Sequence, residues 1–422
     1  MVLVRHGQSS WNVKGWIQGR ADESVLTELG IEQARRCGTV LGAVQFDQVF
    51  SSPLNRARHT CTLITPIPPT LLATLQEIDL PRWEGMTAQE VAQRFPQEHQ
   101  IYRLNPAEFE IAGRYPVVEL WAEARAAWEV ILASPGHCVL VVAHNAINQA
   151  LISTALGLGP MGYRALGQNN GGISVLNFDD QGQVQLESLN QTAHLTETPN
   201  FTPKPGVTRL LLIRHGETDW NRTGRFQGQL DIPLNATGVD QAQKTVALLK
   251  DLAFTQVFVS PLQRAYTTAQ ALLAHQPHLA LTILDDLQEI AHGTWEGKYH
   301  PEVEAEYPGL LAVWNQQPET VQMPAGESLQ EIWARSAQAW AAILQQVNGL
   351  TLVAAHDAIN KALLCQVLGL GPEAFWRFKQ GNGAVSVIDY PDGITGRGVL
   401  QSLNYTAHLT GNIFDCTAAG AL

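Results

Sequence analysis

One segment of the chain occurs twice. Leu212-Ile213-Arg214-His215-Gly216-Glu217-Thr218-Asp219-Trp220-Asn221 has its counterpart near the amino terminus in Leu3-Val4-Arg5-His6-Gly7-Gln8-Ser9-Ser10-Trp11-Asn12. The interval then persists: His6 to His215 is 209 residues, Pro53 to Pro261 is 208, and both Glu77 to Glu289 and His144 to His356 are 212. A period of that size is too long for a solenoid and means two copies of a whole domain. The 422 residues therefore read as two domains, 1–196 and 208–422, with a linker at 197–207 in the three-proline stretch Thr196–Pro205.

Within each copy, short β-branched runs alternate with helical spacing. Val2–Val4, Val49–Ser51 and Val139–Val142 suit buried parallel strands, with helices at Thr27–Leu41 and Trp121–Leu132 between them. The second copy places strands at Leu210, Val257, Leu350 and Val385. Its helices fall near Val239–Leu252, Leu262–Ala274, Leu329–Gln346 and Ala358–Leu368. This is an α/β pattern, a sheet with helices on both faces. Ile173–Phe178 and Val184–Leu189 read as a closing hairpin. The paired segments Ser188–Leu195 and Ser402–Leu409 read as a structural seam.

Composition narrows the partners. A net charge of −12 argues against a nucleic-acid surface, and no apolar run is long enough for a bilayer. The amino terminus enters a strand at once, without a basic leader, so the expected location is cytoplasmic. The cysteines, Cys37, Cys61, Cys138, Cys365 and Cys416, are scattered without CxxC spacing and read as reduced thiols.

The chemistry is read from the strand ends, where open α/β sheets bind ligands. Arg214 offers a planar cationic fork for an oxyanion, and His215 a ring nitrogen able to attack phosphorus. Gly216 is expected to let the backbone approach that anion. Arg264 follows a strand and opens a helix after Ser260-Pro261-Leu262. His356 ends a strand, and Gly326-Glu327-Ser328 precedes a helix as a loop or cap. One neutral histidine as nucleophile, a second histidine with two arginines on the equatorial oxygens, and Glu289 as proton donor make a phosphoryl-transfer set.

These residues resemble the histidine phosphatase superfamily, also called phosphoglycerate-mutase-like, over both halves. The resemblance implies a three-layer α/β/α sandwich in each half, a phosphohistidine intermediate, and neither metal nor cofactor. It makes His215 the nucleophile, Arg214, Arg264 and His356 the phosphate pocket, Glu289 the proton donor, and Asn221 and Gln227 accessory phosphate contacts. The first half carries the same set as Arg5, His6, Asn12, Gln18, Arg56, Glu77 and His144. One departure stands out: Arg114-Tyr115-Pro116 occupies the place of Gly326-Glu327-Ser328 when Trp121 is aligned with Trp333. Gly113–Trp121 and Val141–Leu151 resemble tandem members of the family that act on a sugar phosphate. After Glu289 and Glu77 the chain reads Ile290-Ala291-His292-Gly293 and Ile78-Asp79-Leu80-Pro81, which is similar to the phosphatase branch, so water is the expected acceptor.

The alternatives are a phosphoglycerate mutase, or one half serving as a non-catalytic sugar-phosphate-binding module. The expected partner is a small phosphorylated metabolite, and duplication suggests an intramolecular pseudo-dimer or a homodimer. His59, His99, His137, His275, His278, His292 and His300 lack such company and read as solvated; Tyr115 and Arg82 fit substrate selection and packing equally well. Specificity is expected in the loops at 85–118 and 297–327.

Overall fold

The computed structural model describes residues 1–196 and 201–418. The first four residues of the expected linker, 197–200, lie outside the described residues. The chain divides into two compact units, Met1–Pro199 and Asn200–Leu422.

In the first unit six strands, β1 (Val2–Arg5), β2 (Gln48–Ser51), β3 (Thr70–Leu71), β4 (Val139–Ala143), β5 (Ile173–Phe178) and β6 (Val184–Gln191), lie in the order β3-β2-β4-β1-β5-β6. The second unit repeats that order as β9-β8-β10-β7-β11-β12, from β7 (Thr208–Arg214), β8 (Phe254–Val259), β9 (Leu281–Ile283), β10 (Leu350–Ala355), β11 (Val385–Tyr390) and β12 (Val399–Tyr405). The four strands from β3 to β1, and from β9 to β7, are parallel; the closing hairpins β5–β6 and β11–β12 run antiparallel.

Each unit is a three-layer α/β/α sandwich. Every residue of β4 and of β10 is buried, which requires cover on both faces of the sheet. Helix Glu28–Leu41 shows how that cover forms: Thr27 caps its first turn, and Gly30, Ala34, Cys37 and Leu41 form one buried stripe. Leu329–Leu344 starts on a capping box between Ser328 and Glu331, which decides the open reading of loop or cap in favour of the cap. Its first-half counterpart, Pro116–Leu132, has no side-chain cap at Tyr115 and starts instead with proline at the first helical position, where the missing N–H costs nothing. The segments expected as specificity loops carry short helices, Ala88–Arg94 and Pro96–Leu104 in one half, His300–Glu306 and Leu310–Gln316 in the other.

Gly216 makes room for a second segment of backbone. A Cβ there would stand 2.4 Å from the carbonyl oxygen of Gly238, so the glycine lets the turn pack on the helix Ala236–Leu249. Gly7 meets Gly30 in the same way, at 2.2 Å. The seam segments hold the opposite wall. Asn404 Oδ1 accepts from the Gly381 N–H (2.7 Å), and two residues on, the Gly383 N–H reaches the Arg214 and His215 carbonyls, both at 3.1 Å. Asn190 and Asn404 sit at φ 54°, a left-handed conformation that asparagine tolerates better than most residues.

Candidate active site

Strand register brings the two histidines together. Arg214 lies opposite Ala355 in the β7–β10 ladder, so the next residues, His215 and His356, leave adjacent strand ends with ring centroids 5.1 Å apart. In the first half Arg5 opposes Ala143, and His6 and His144 are likewise 5.1 Å apart.

Hydrogen bonding sets the state of the first ring. His215 Nδ1 faces the Gly216 carbonyl at 2.7 Å, and a carbonyl can only accept, so the proton sits on Nδ1 and the lone pair on Nε2. Arg264 Nε donates to that Nε2 at 3.3 Å. The rest of the Arg264 fork is pinned, Nη1 to the Leu230 carbonyl at 2.9 Å and Nη2 to that of Gly228 at 2.8 Å. Burial, then Arg264 and Arg214, hold the His215 imidazole well below the ordinary histidine range, so the ring is neutral at neutral pH. Burial lowers Arg264 to about 10, which leaves it charged.

His356 is buried, with Nε2 2.7 Å from Ser260 Oγ and Nδ1 without a hydrogen-bond partner. Arg214 donates through Nη1 to the Gln380 carbonyl at 2.5 Å, and its buried Nε has no partner either. Asn221 Oδ1 is occupied by the Thr218 N–H (3.1 Å) and Asn382 Nδ2 (3.2 Å), while Gln227 Oε1 accepts from the Thr218 hydroxyl at 2.9 Å. Both amide NH2 groups are thereby left for the cleft that Asn221 and Gln227 line together with Arg214, His215, Arg264 and Glu289.

Glu289 reaches the start of helix Asp357–Leu368. Its Oε1 accepts from the Ile290 and Ala358 N–H groups, both at 3.0 Å, and its Oε2 from that of Asp357 at 3.0 Å. Burial, then the neighbouring Asp357 charge, push its pKa up, against the pull of Arg264, the Ile290 N–H and Arg214.

The first half has the same plan. His6 Nδ1 meets the Gly7 carbonyl at 2.7 Å, His144 Nε2 meets Ser52 Oγ at 2.7 Å, and Arg56 is pinned to the Ala21 and Gly19 carbonyls at 2.8 and 2.9 Å. Arg5 Nη1 donates to the Gln168 carbonyl at 2.6 Å, and Asn12 Oδ1 and Gln18 Oε1 are held by Ser9. Glu77 Oε1 accepts from Ile78 and Ala146, both at 3.0 Å.

Sequence reasoning missed four residues at the second site. Ser260 meets His356 Nε2 through its hydroxyl, a role its place in Ser260-Pro261-Leu262 does not signal. Arg225, whose guanidinium lies 4.4 Å from the Tyr299 ring centroid, and His292 both line the cleft. The expectation that His292 is solvated is overturned: it is 1% exposed, rests against Phe226 and Trp295, and burial holds its pKa at about 3. Arg335 is the fourth, and its contacts with the Glu289 main chain are taken up below. Arg82 pairs with Glu98 on the surface, and Tyr115 is exposed.

The histidine phosphatase superfamily (branch 1) model matches residues 1–192 and 210–405, so the chain belongs to that family, and it is a phosphatase acting on phosphate esters, a phosphoric monoester hydrolase. Among its relatives is 2-carboxy-D-arabinitol-1-phosphatase of Triticum aestivum, 36% identical over 97% of this chain and 86% of that one. A probable enzyme of the same name from Arabidopsis thaliana is 35% identical over 97% of this chain and 88% of its own length. Phosphoserine phosphatase 1 of Hydrogenobacter thermophilus is 33% identical over 48% of this chain and 95% of its own, one half of the tandem. A solved mycobacterial glucosyl-3-phosphoglycerate phosphatase is 28% identical, covering 47% of this chain and all of its own, with a TM-score of 0.44.

Proposed function

We propose that the second half hydrolyses a small sugar phosphate through a phosphohistidine on His215. The observation that carries this is the convergence, around a neutral imidazole whose Nε2 lone pair faces the Arg264 Nε–H, of buried nitrogens without protein partners at Arg214 Nε and His356 Nδ1. A buried unpaired donor costs about 1–3 kcal/mol, and an oxyanion would satisfy several at once. His215 Nε2 forms the bond to phosphorus as the ester P–O bond breaks; Arg214, Arg264, His356, Asn221 and Gln227 hold the equatorial oxygens. Glu289 gives its proton to the leaving alkoxide. Water then attacks, Glu289 takes up its proton, the P–N bond breaks, and inorganic phosphate leaves.

The likeness to the wheat enzyme over nearly the whole chain supports a carboxylated sugar phosphate as the substrate class. Arg225 supports it too, as a cation lining the cleft beyond the phosphate set. The unpaired cysteines fit a reducing compartment, the cytosol in our reading, and no helix among the described residues is long and apolar enough to cross a membrane. Phosphate release from a panel of sugar 1-phosphates and phosphorylated acids tests the proposal. Release from carboxylated sugar phosphates, lost in the His6→Ala/His215→Ala double variant, is the expected result. Turnover that survives the double variant overturns the nucleophile assignment, and turnover that depends on a bisphosphoglycerate would make the enzyme a mutase.

A further inference from the structure

The departure at Arg114-Tyr115-Pro116 removes from the first half a carboxylate that the second half uses. Glu327 Oε2 accepts from the Ala291 N–H at 2.8 Å and pairs with Arg335 Nη2 at 2.9 Å. Arg335 in turn donates to three main-chain carbonyls, those of Asp286 (2.9 Å), Gln288 (2.8 Å) and Glu289 (3.2 Å). Gln229 Nε2 adds a second donor to the Glu289 carbonyl at 3.1 Å. The main chain from which the Glu289 carboxyl reaches toward the cleft is thus gripped by an ion pair.

At the position matching Arg335, two residues after the aligned tryptophan, the first half has Glu123. At the position matching Gln229, two residues after the aligned glutamine, it has Arg20. Arg20 Nη2 donates to both Glu123 carboxylate oxygens, at 2.7 and 2.8 Å, and its Nε to the Glu77 carbonyl at 3.1 Å. The same carbonyl is held by an arginine locked to a carboxylate, with the charges exchanged between helix and loop.

We propose that these two ion pairs are one device of opposite polarity, that Arg20 and Arg335 are positioning residues for the glutamates at 77 and 289, and that the first half is catalytically competent without the Gly-Glu-Ser loop. This rests on the reading of both glutamates as proton donors. Misplacing a catalytic group by about 1 Å can cost ~10²-fold in rate, so the clamp acts on turnover with little effect on phosphate binding.

Each half is read alone by silencing the other. In the His215→Ala background the first half turns over, and Arg20→Met lowers its kcat ~10–100-fold while KM, inhibition by inorganic phosphate and melting temperature stay nearly constant. In the His6→Ala background Arg335→Glu does the same to the second half. The triple change Gln229→Arg, Glu327→Gln and Arg335→Glu, which rebuilds the first-half pair, restores most of the loss. No turnover by the first half on any ester that the second half accepts overturns the inference, as does Arg20→Met within twofold of its parent. A triple variant that folds with the parent melting temperature and stays slow also overturns it. Activity surviving in the double His6→Ala/His215→Ala variant would break the nucleophile assignment instead, so the two failures are distinguishable.

Discussion

The two halves hold their paired imidazoles at the same 5.1 Å and diverge one layer further out. In the second half Asp357 opens the helix after His356, and Lys361 Nζ lies 3.0 Å from its Oδ2, both side chains buried. In the first half those positions are Asn145 and Gln149, joined by a neutral amide hydrogen bond of 2.8 Å. The consequence falls on the glutamates. Burial raises both, but the Asp357 charge adds to the rise at Glu289, whereas at Glu77 the other influences, Arg56 and Arg5 among them, pull down. Strand register therefore sets the spacing of the paired imidazoles, and the neighbouring helix sets the charge beside each glutamate.

The largest expected effect breaks the comparison outright. His215→Ala and His6→Ala should each remove their own half's turnover by on the order of 10⁴-fold or more, read as phosphate release in single and double variants. Next come the pinned arginines. Arg264→Met and Arg56→Met should each cost ~10²–10³-fold in kcat for their half, and unequal losses would show that the Arg264–His215 bond matters beyond charge. Gly216→Ala should lower stability by ~1–3 kcal/mol, seen as a fall in melting temperature, because its Cβ would clash with the Gly238 carbonyl; Gly7→Ala should match it.

A smaller effect sharpens the contrast in proton chemistry. A donor must be protonated, so activity is lost as pH rises through the raised pKa of the glutamate. The double variant Asp357→Asn/Lys361→Gln, which copies the first half, should move the alkaline limb of the second half downward, by no more than about tenfold in rate at a fixed alkaline pH. An unmoved limb would detach Asp357 from the donor. The smallest contrast is in acid stability. All four site histidines have folded pKa values far below about 6.5, so the unfolded chain binds more protons as pH falls below that value and stability declines. Melting followed from pH 7 to 5 should show the two units losing stability in parallel.

The histidines and arginines were legible because each sits at a strand end or helix start; Glu289 and Glu77 lie in loops and stood out because the repeat displayed the pattern twice. What escaped depends on segments that meet only in the folded chain. Arg335 grips a carbonyl 46 residues away, and nothing in its own helix marks it. His292 looks like a solvated loop residue until Phe226 is folded against it. Gly216 was expected to serve an anion, and its packing against the Gly238 backbone could not be read from its own segment. Arg114-Tyr115-Pro116 read only as a departure, because Arg20, which donates to the Glu77 carbonyl and pairs with Glu123, lies almost a hundred residues earlier in the chain.

Rapid acid-free quenching during turnover, followed by peptide mass mapping of the phosphorylated chain, tests the duplicated pocket most directly. Acid-labile phosphate on the peptides containing His215 and His6, each lost in its own alanine variant, is the expected outcome. Steady turnover with no phosphate on either histidine, or with it on a serine such as Ser260, would contradict it.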